Sequence, residues 1–258
     1  MFIEERKTKI VEYVTKQNRA SVQELCDVLE VSESTVRRDL KELEEAGLIR
    51  RTHGGAIPAE GVNFEPSYIE KEDQFTLEKI AIAKQAAKLI KPGDIILLDS
   101  GTTTYHMANE LKGLSDITVV TNSLVIGEKL QSYRNIEVII LGGHLRPVSL
   151  ALVGPLTDEA LSSIYVDKAF IAANSIDIEA GVTTPNLQEA TTKKNMIRSA
   201  KQNILLADSS KFGKTTFSRF AAISDVDVCI TDENIQVEIK DNLEKVGVDV
   251  IVVPTLKE

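Results

Sequence analysis

The sequence predicts two folded units, a small helical one at the N-terminus and, after it, a larger α/β unit built on a mostly parallel sheet. Three observations carry this. The first sixty residues hold three stretches of apolar residues at helical spacing. From residue 95 onward, short continuous apolar runs alternate with helical stretches, the pattern of parallel strands covered on both faces. Between the two, the chain turns polar, with Gly61, Pro66 and several acidic residues and no sustained period. This marks 1–57 as the first unit, 58–75 as a linker and 76–258 as the second unit. A chain of 258 residues with 43% hydrophobic content can fill two cores.

Ile3, Ile10, Val11 and Val14 recur among charged residues and predict a first helix that ends near Gln17-Asn18. Ser21 with Glu24 three residues on is a capping-box pair, and Val22, Leu25, Cys26 and Leu29 follow it as the inward stripe of a second helix. Ser32 can cap a third helix with Val36, Leu40 and Leu43 inward and Gly47 as the residue just past its end. Leu48 to Ala56, with two arginines and a Gly-Gly turn, reads as a short β-hairpin.

With Val36 and Leu40 turned to the core, Ser34, Thr35, Arg37, Arg38 and Lys41 occupy the outer face of the third helix. Arginine can bond two acceptors on a guanine edge, Ser and Thr can bond base edges or phosphates, and a helix N-terminus favours an anion. That is the chemistry of a major-groove reader; a solvated charged face is the plainer alternative on spacing alone. The hairpin weakens that alternative, because a wing beside such a helix can lie along the DNA backbone. Val31-Ser-Glu-Ser-Thr-Val-Arg-Arg-Asp-Leu40, then Leu43-Glu44, Gly47, Ile49, Arg51 and His53-Gly-Gly-Ala56, resemble the signature of the DeoR family of repressors. The resemblance implies a winged helix-turn-helix in which Arg37 and Arg38 contact duplex operator DNA and Ser34 and Thr35 assist. By the same resemblance Arg50, Arg51 and His53 add backbone contacts.

In the second unit a helix is predicted over Leu77–Ile90, followed by strands at Ile95–Leu98, Ile117–Val120, Val138–Leu141, Lys168–Ala172, Ile204–Ala207, Val228–Thr231 and Val250–Val253. The alternation with helices makes the sheet Rossmann-like, and in such sheets ligands sit beyond the carboxyl ends of the strands. Asp99-Ser100-Gly101-Thr102-Thr103-Thr104, Thr121-Asn122-Ser123, Gly142-Gly143, Asn174-Ser175 and Asp208 to Gly213 occupy those ends. One such turn is ordinary strand-to-helix chemistry. Five in register imply a pocket rich in hydroxyls and N–H donors, with carboxylates to hold sugar hydroxyls and Lys211 for a phosphate.

The likeness to the DeoR family continues through EKIAIAKQAAKLIKPGDIILLDSGTTT, VVTNS, LGG, GVTTPNLQEATTKKNMI and LADSSKFG. It implies a sensor domain with a sugar-phosphate-isomerase-like fold, binding a phosphorylated sugar. By that likeness the effector candidates are Lys71, Lys79, Ser100, Gly101, Thr102, Asn122, Asp208 and Lys211. The strand-end turns add Asp99, Thr103, Ser123, Gly142, Gly143 and Asn174, and Glu189 is a further carboxylate. The overall pattern is nearest to fructose and lactose operon repressors of Gram-positive bacteria, which makes fructose 1-phosphate the expected effector.

The net charge of −9 sits awkwardly with DNA binding, but its distribution resolves the difficulty. Residues 1–57 hold ten Lys/Arg against eleven Asp/Glu, so nearly all the excess acid lies in the second unit. No apolar run is long enough for a membrane span and no signal sequence opens the chain, so a cytoplasmic protein is expected. The two cysteines, Cys26 and Cys229, suggest neither a disulfide nor a metal site, and His53, His106 and His144 lie apart. Gly213-Lys214-Thr215 lacks the earlier glycine of a phosphate-binding NTP loop, since position 208 is Asp208. No cofactor is expected beyond the effector. An isomerase-like enzyme carrying a DNA-binding appendage is the competing reading, and no tuned acid/base pair supports it. Reading paired half-sites requires a homo-oligomer, at least a dimer.

Overall fold

The computed structural model of the chain describes residues 3–17, 19–46, 48–58 and 65–255. Asn18, Gly47 and Gly61, assigned above to helix ends and linker, lie outside the described residues. The chain divides into two compact units, Met1–Phe64 and Glu65–Glu258.

In the first unit α1 (Ile3–Gln17), β1 (Ala20–Ser21), α2 (Val22–Leu29) and α3 (Glu33–Glu45) precede β2 (Ile49–Thr52) and β3 (Gly55–Pro58). The expected capping box starts α2: Glu24 N–H donates to Ser21 Oγ at 3.1 Å, and Ser21 N–H donates to Glu24 Oε2 at 2.7 Å. Ser32 caps α3. Ile10, Val14, Leu25, Leu29, Val36, Leu40, Leu43 and Ile49 close one core, with Cys26 half-buried at its margin. Each fully buried Leu or Ile contributes about 1.5–3 kcal/mol by leaving water. The wing is an antiparallel hairpin with Thr52 paired to Gly55, and β1 adds a third strand against β3. A Cβ on Gly55 would stand 2.0 Å from the Ala20 carbonyl oxygen, so only glycine lets β1 and β3 approach this closely.

The second unit opens with α4 (Tyr68–Glu72) and α5 (Thr76–Ala87). It continues through β4 (Ile95–Leu98), α6 (Thr102–Glu110), β5 (Ile117–Thr121), α7 (Leu124–Leu130), β6 (Ile136–Ile140), β7 (His144–Arg146) and β8 (Ala151–Val153). Then come α8 (Pro155–Ser162), β9 (Val166–Ala172), β10 (Ser175–Asp177), β11 (Gly181–Thr184), α9 (Leu187–Ser199) and β12 (Ala200–Leu206). β13 (Ser218–Ala221), β14 (Val228–Asp232), α10 (Val237–Lys245) and β15 (Asp249–Val253) complete it.

Seven parallel strands form one sheet in the order β15-β14-β12-β9-β4-β5-β6, built from the seven runs read in the sequence. Side chains alternate between two cores. Ile96, Leu98 and Phe170 pack with α5, α6 and α7 on one face, while Leu97, Ala169 and Ile171 pack with α8, α9 and α10 on the other. Two antiparallel additions, β7–β8 and β10–β11–β13, have strands too short and too polar to stand out in the sequence.

The expected linker is shorter at its far end. From Glu65 the chain belongs to the second unit, because Ser67 and Glu70 form a capping box for α4 and Tyr68 is buried. No helix among the described residues is long and apolar enough to cross a membrane. Both cysteines are free, and burial pushes the Cys229 thiol up to about 12.

Candidate DNA-reading face and sensor pocket

On α3, Ser34, Arg37, Arg38 and Lys41 are exposed, as are Arg50, Arg51 and His53 on the wing. Thr35 is half-buried, and its hydroxyl lies 2.9 Å from that of the cap residue Ser32. Two arginines are held by nearby carboxylates: Arg37 donates to Glu33 Oε1 through Nε at 2.9 Å and Nη2 at 2.5 Å, and Arg51 Nε lies 3.9 Å from Glu44 Oε2. These pairs are exposed, so each contributes under about 1 kcal/mol and yields readily to phosphate. Beneath the face, Asp39 is fully buried and paired with Arg6 of α1.

In the second unit the carboxyl ends of β4 and β9 and the first turns of α6 and α9 enclose a small pocket. Lys71, Lys79, Ser100, Gly101, Thr102, Thr103, Asn174, Glu189 and Lys211 line it, all of them sequence candidates. Ser149 and Lys193 line it too. The first-turn N–H groups of α6 have no intrahelical acceptors and suit an anion.

The remaining candidates do not line the pocket; each is occupied in holding the surrounding frame. Asp99 is fully buried and accepts from Ala172 N–H at 3.0 Å and from the Lys193 ammonium. Asn122 accepts from Ser100 N–H and donates to the Leu152 carbonyl, both at 3.0 Å, which ties the β4 turn to β8. Ser123 caps α7. Gly142 gives its carbonyl to Thr157, and Gly143 packs against Thr157 and Val153. Asp208 accepts from Ser210 N–H at 3.2 Å and lies 3.7 Å from Lys211.

Four lysines crowd the pocket. Burial pushes the Lys79 ammonium down to about 8, with Lys211 and Lys71 adding repulsion. Burial also lowers Lys71, against the pull of Glu189 and Glu65. Asp99 is raised by burial against the pull of Lys193. Glu189, which burial would raise, is lowered on balance by Lys193, Ser149, Arg146 and Lys71. Lys193 went unread in the sequence although it stands one turn after Glu189 on the same face of α9, the one local signal that could have found it.

A roomier cleft lies between the C-terminal ends of α6 and α7 and contains none of the sequence candidates. Its Lys112 and Lys129 stand where cations meet the negative ends of helix dipoles.

Residues 6–61 match the model of the DeoR-like helix-turn-helix domain, and residues 74–233 match that of the DeoR C terminal sensor domain. The chain belongs to the DeoR family. An uncharacterised HTH-type transcriptional regulator of Bacillus subtilis strain 168, YulB, is 40% identical over 257 residues, covering 100% of this chain and 99% of that one. The HTH-type transcriptional repressor GlcR of the same organism is 38% identical over 252 residues, covering 98% and 97%. Among solved structures, ribose 5-phosphate isomerase A of Methanocaldococcus jannaschii is similar over 53% of this chain and 54% of its own, with 21% identity and a TM-score of 0.39. As a DeoR-family member the chain is a helix-turn-helix transcriptional regulator with a C-terminal sensor domain.

Proposed function

We propose that this DeoR-family repressor controls a sugar-utilisation operon and leaves its operator when a phosphorylated sugar, fructose 1-phosphate first among the candidates, fills the sensor pocket. The observation that carries the reading is the gathering of Lys71, Lys79, Lys193 and Lys211 with the Ser100–Thr103 turn in one pocket, which Glu189 and Asn174 also line, able to accept from and donate to hydroxyls. Cations with helix N–H groups fit a phosphate, and the carboxylate and amide fit a polyol. Arg37, Arg38, Ser34, Thr35 and Lys41 read the major groove, and Arg50, Arg51 and His53 hold the backbone. A homo-oligomer sets two such faces on paired half-sites.

The experiment is a thermal-shift screen against phosphorylated ketohexoses and aldohexoses, followed by operator-binding titrations with each stabilising compound. A ligand at 100 times its Kd should stabilise the native state by about 2.7 kcal/mol. No stabilisation by any sugar phosphate would sink the reading; stabilisation without loss of operator affinity would sink the release mechanism.

A further inference from the structure

One arginine joins the pocket to the start of the sensor unit. Arg146 in β7 donates from Nη1 and Nη2 to Glu65 Oε1 and Oε2 at 2.9 and 2.8 Å, and its Nη1 also donates to Glu189. All three side chains are nearly buried, at 13%, 11% and 6% exposure for Arg146, Glu65 and Glu189. Glu189 lines the pocket, whereas Glu65 is the first residue of the unit and the chain before it leads back to the wing strand β3. The helix just after Glu65 is tied to the same place. Tyr68 N–H donates to the Val148 carbonyl at 2.7 Å, and the Lys79 ammonium donates to the carbonyl of Lys71.

We propose that the Arg146–Glu65 pair is the switch by which ligand in the pocket acts on the segment leading to the DNA-binding unit: a phosphorylated ligand loosens the pair and frees Glu65. The inference rests on the reading of the pocket as a sugar-phosphate site.

Charge gives the sign. Five cations, Lys71, Lys79, Lys193, Lys211 and Arg146, face four carboxylates, Asp99, Glu189, Asp208 and Glu65, so one positive charge is in excess and a bound dianion would reverse the balance. A phosphate monoester adds nearly two negative charges and competes for those cations. Asp99 and Asp208 are fully buried, and Glu189 is fixed in the first turn of α9 beneath its Asn186 cap. Glu65 alone stands at the end of the unit, with Arg146 its partner among the described residues. It is the carboxylate that can leave. Linkage then requires that whatever loosens Glu65 also tighten ligand binding by the same factor. Arg146 and Glu65 are positioning residues here, since neither lines the pocket.

The test uses the full chain and its Glu65→Gln variant, which keeps the shape but removes the charge and one of the two acceptors that Arg146 uses. Probes are fructose 1-phosphate, fructose 6-phosphate, glucose 6-phosphate and inorganic phosphate, measured by calorimetry. DNA affinity is measured on a duplex selected by the protein from a random pool. Glu65→Gln should bind the active probe about tenfold tighter and lose a like factor from the probe's effect on DNA affinity. Glu65→Asp, which retains the charge, should stay closer to the parent chain on both measures. Amide exchange at 67–72 in the parent chain should quicken when the probe is added. Unchanged probe affinity and unchanged coupling in Glu65→Gln would overturn the switch and leave the pocket standing. Failure of every probe to bind the parent chain would remove the pocket reading and the switch with it.

Discussion

Arg6 of α1 grips Asp39 on the underside of α3 with two hydrogen bonds, Nε to Oδ2 at 2.5 Å and Nη2 to Oδ1 at 3.1 Å. Asp39 sits in the run Arg37-Arg38-Asp39-Leu40 yet faces away from the proposed DNA-reading surface, buried against α1. Removing one partner of a buried pair strands the other, so Asp39→Ala should destabilise the first unit by about 3 kcal/mol, the low end for such pairs because this unit is small. Operator binding should fall with it, while Arg6→Met/Asp39→Leu should recover much of the stability. Thermal melts of residues 1–64 within the full chain, followed by a probe in the wing, decide this. A single mutant as stable as the parent would deny the pair its structural role.

Arg37 is bonded to Glu33 one turn earlier, whereas no salt bridge among the described residues engages Arg38. In the proposed DNA complex phosphate must displace Glu33 from Arg37, and Glu33 itself would repel the DNA backbone. Glu33→Gln is therefore expected to tighten DNA binding several-fold at 50 mM salt, with the gain shrinking at 200 mM as screening sets in. Arg38→Ala should cost about 1–3 kcal/mol of operator affinity and relax sequence preference if the side chain reads a base. Filter-binding titrations at the two salt concentrations measure both. Weaker binding by Glu33→Gln would mean that the carboxylate contacts the DNA favourably.

Much of this was legible because it is local. The capping box Ser21–Glu24, the inward stripe Val36, Leu40 and Leu43, and the seven apolar runs each follow from spacing within about ten residues. The pocket lining at Ser100, Gly101, Thr102 and Thr103 was legible because the turn after a buried parallel strand must lie at the sheet's ligand-binding end. What escaped was long-range pairing. Arg6 and Asp39 stand 33 residues apart, Arg146 and Glu65 81 apart, and Lys193 and Asp99 94 apart, and no local period announces any of them. The same limit explains the strand-end residues that miss the pocket. A turn's position in the sheet can be read from its strand, but whether Asn122 faces ligand or bonds Ser100 and Leu152 depends on neighbours that the strand does not specify.

Gly142 and Gly143 differ in how tightly the frame encloses them. A Cβ on Gly142 meets nothing within 4 Å, whereas one on Gly143 would fall 2.1 Å from Thr157 Oγ1 and 2.8 Å from the Val153 carbonyl oxygen. Gly143→Ala should thus destabilise the sensor unit by about 1–3 kcal/mol through overpacking. Gly142→Ala should stay within about 0.5 kcal/mol of the parent. Neither should alter effector affinity in the folded protein beyond twofold, because neither glycine lines the pocket. Urea melts with calorimetric titration of fructose 1-phosphate test both halves, and a specific loss of affinity in Gly142→Ala would return that turn to the binding site.

Lys79 should make effector binding and stability respond to pH in opposite ways. Its ammonium lies near 8 in the folded chain against an ordinary 10.5, so between those values the unfolded chain holds the extra proton and stability rises with pH. The penalty of a buried, charged Lys79 is fully present below 8 and relieved above it. A bound phosphate favours the charged form, raises that value and takes up a proton. Affinity for fructose 1-phosphate should therefore fall as pH climbs through 8, by up to about tenfold per unit. The phosphate is not the titrating group, since its second ionisation lies near 6. Lys71, lowered in the same direction, adds to the slope. Lys79→Arg, charged throughout, should flatten the pH profile between 7 and 9, and a double Lys71/Lys79→Arg variant should flatten it further. Calorimetric titrations at pH 7, 8 and 9 supply the measurement, and an undiminished slope in the double variant would place the titrating group elsewhere.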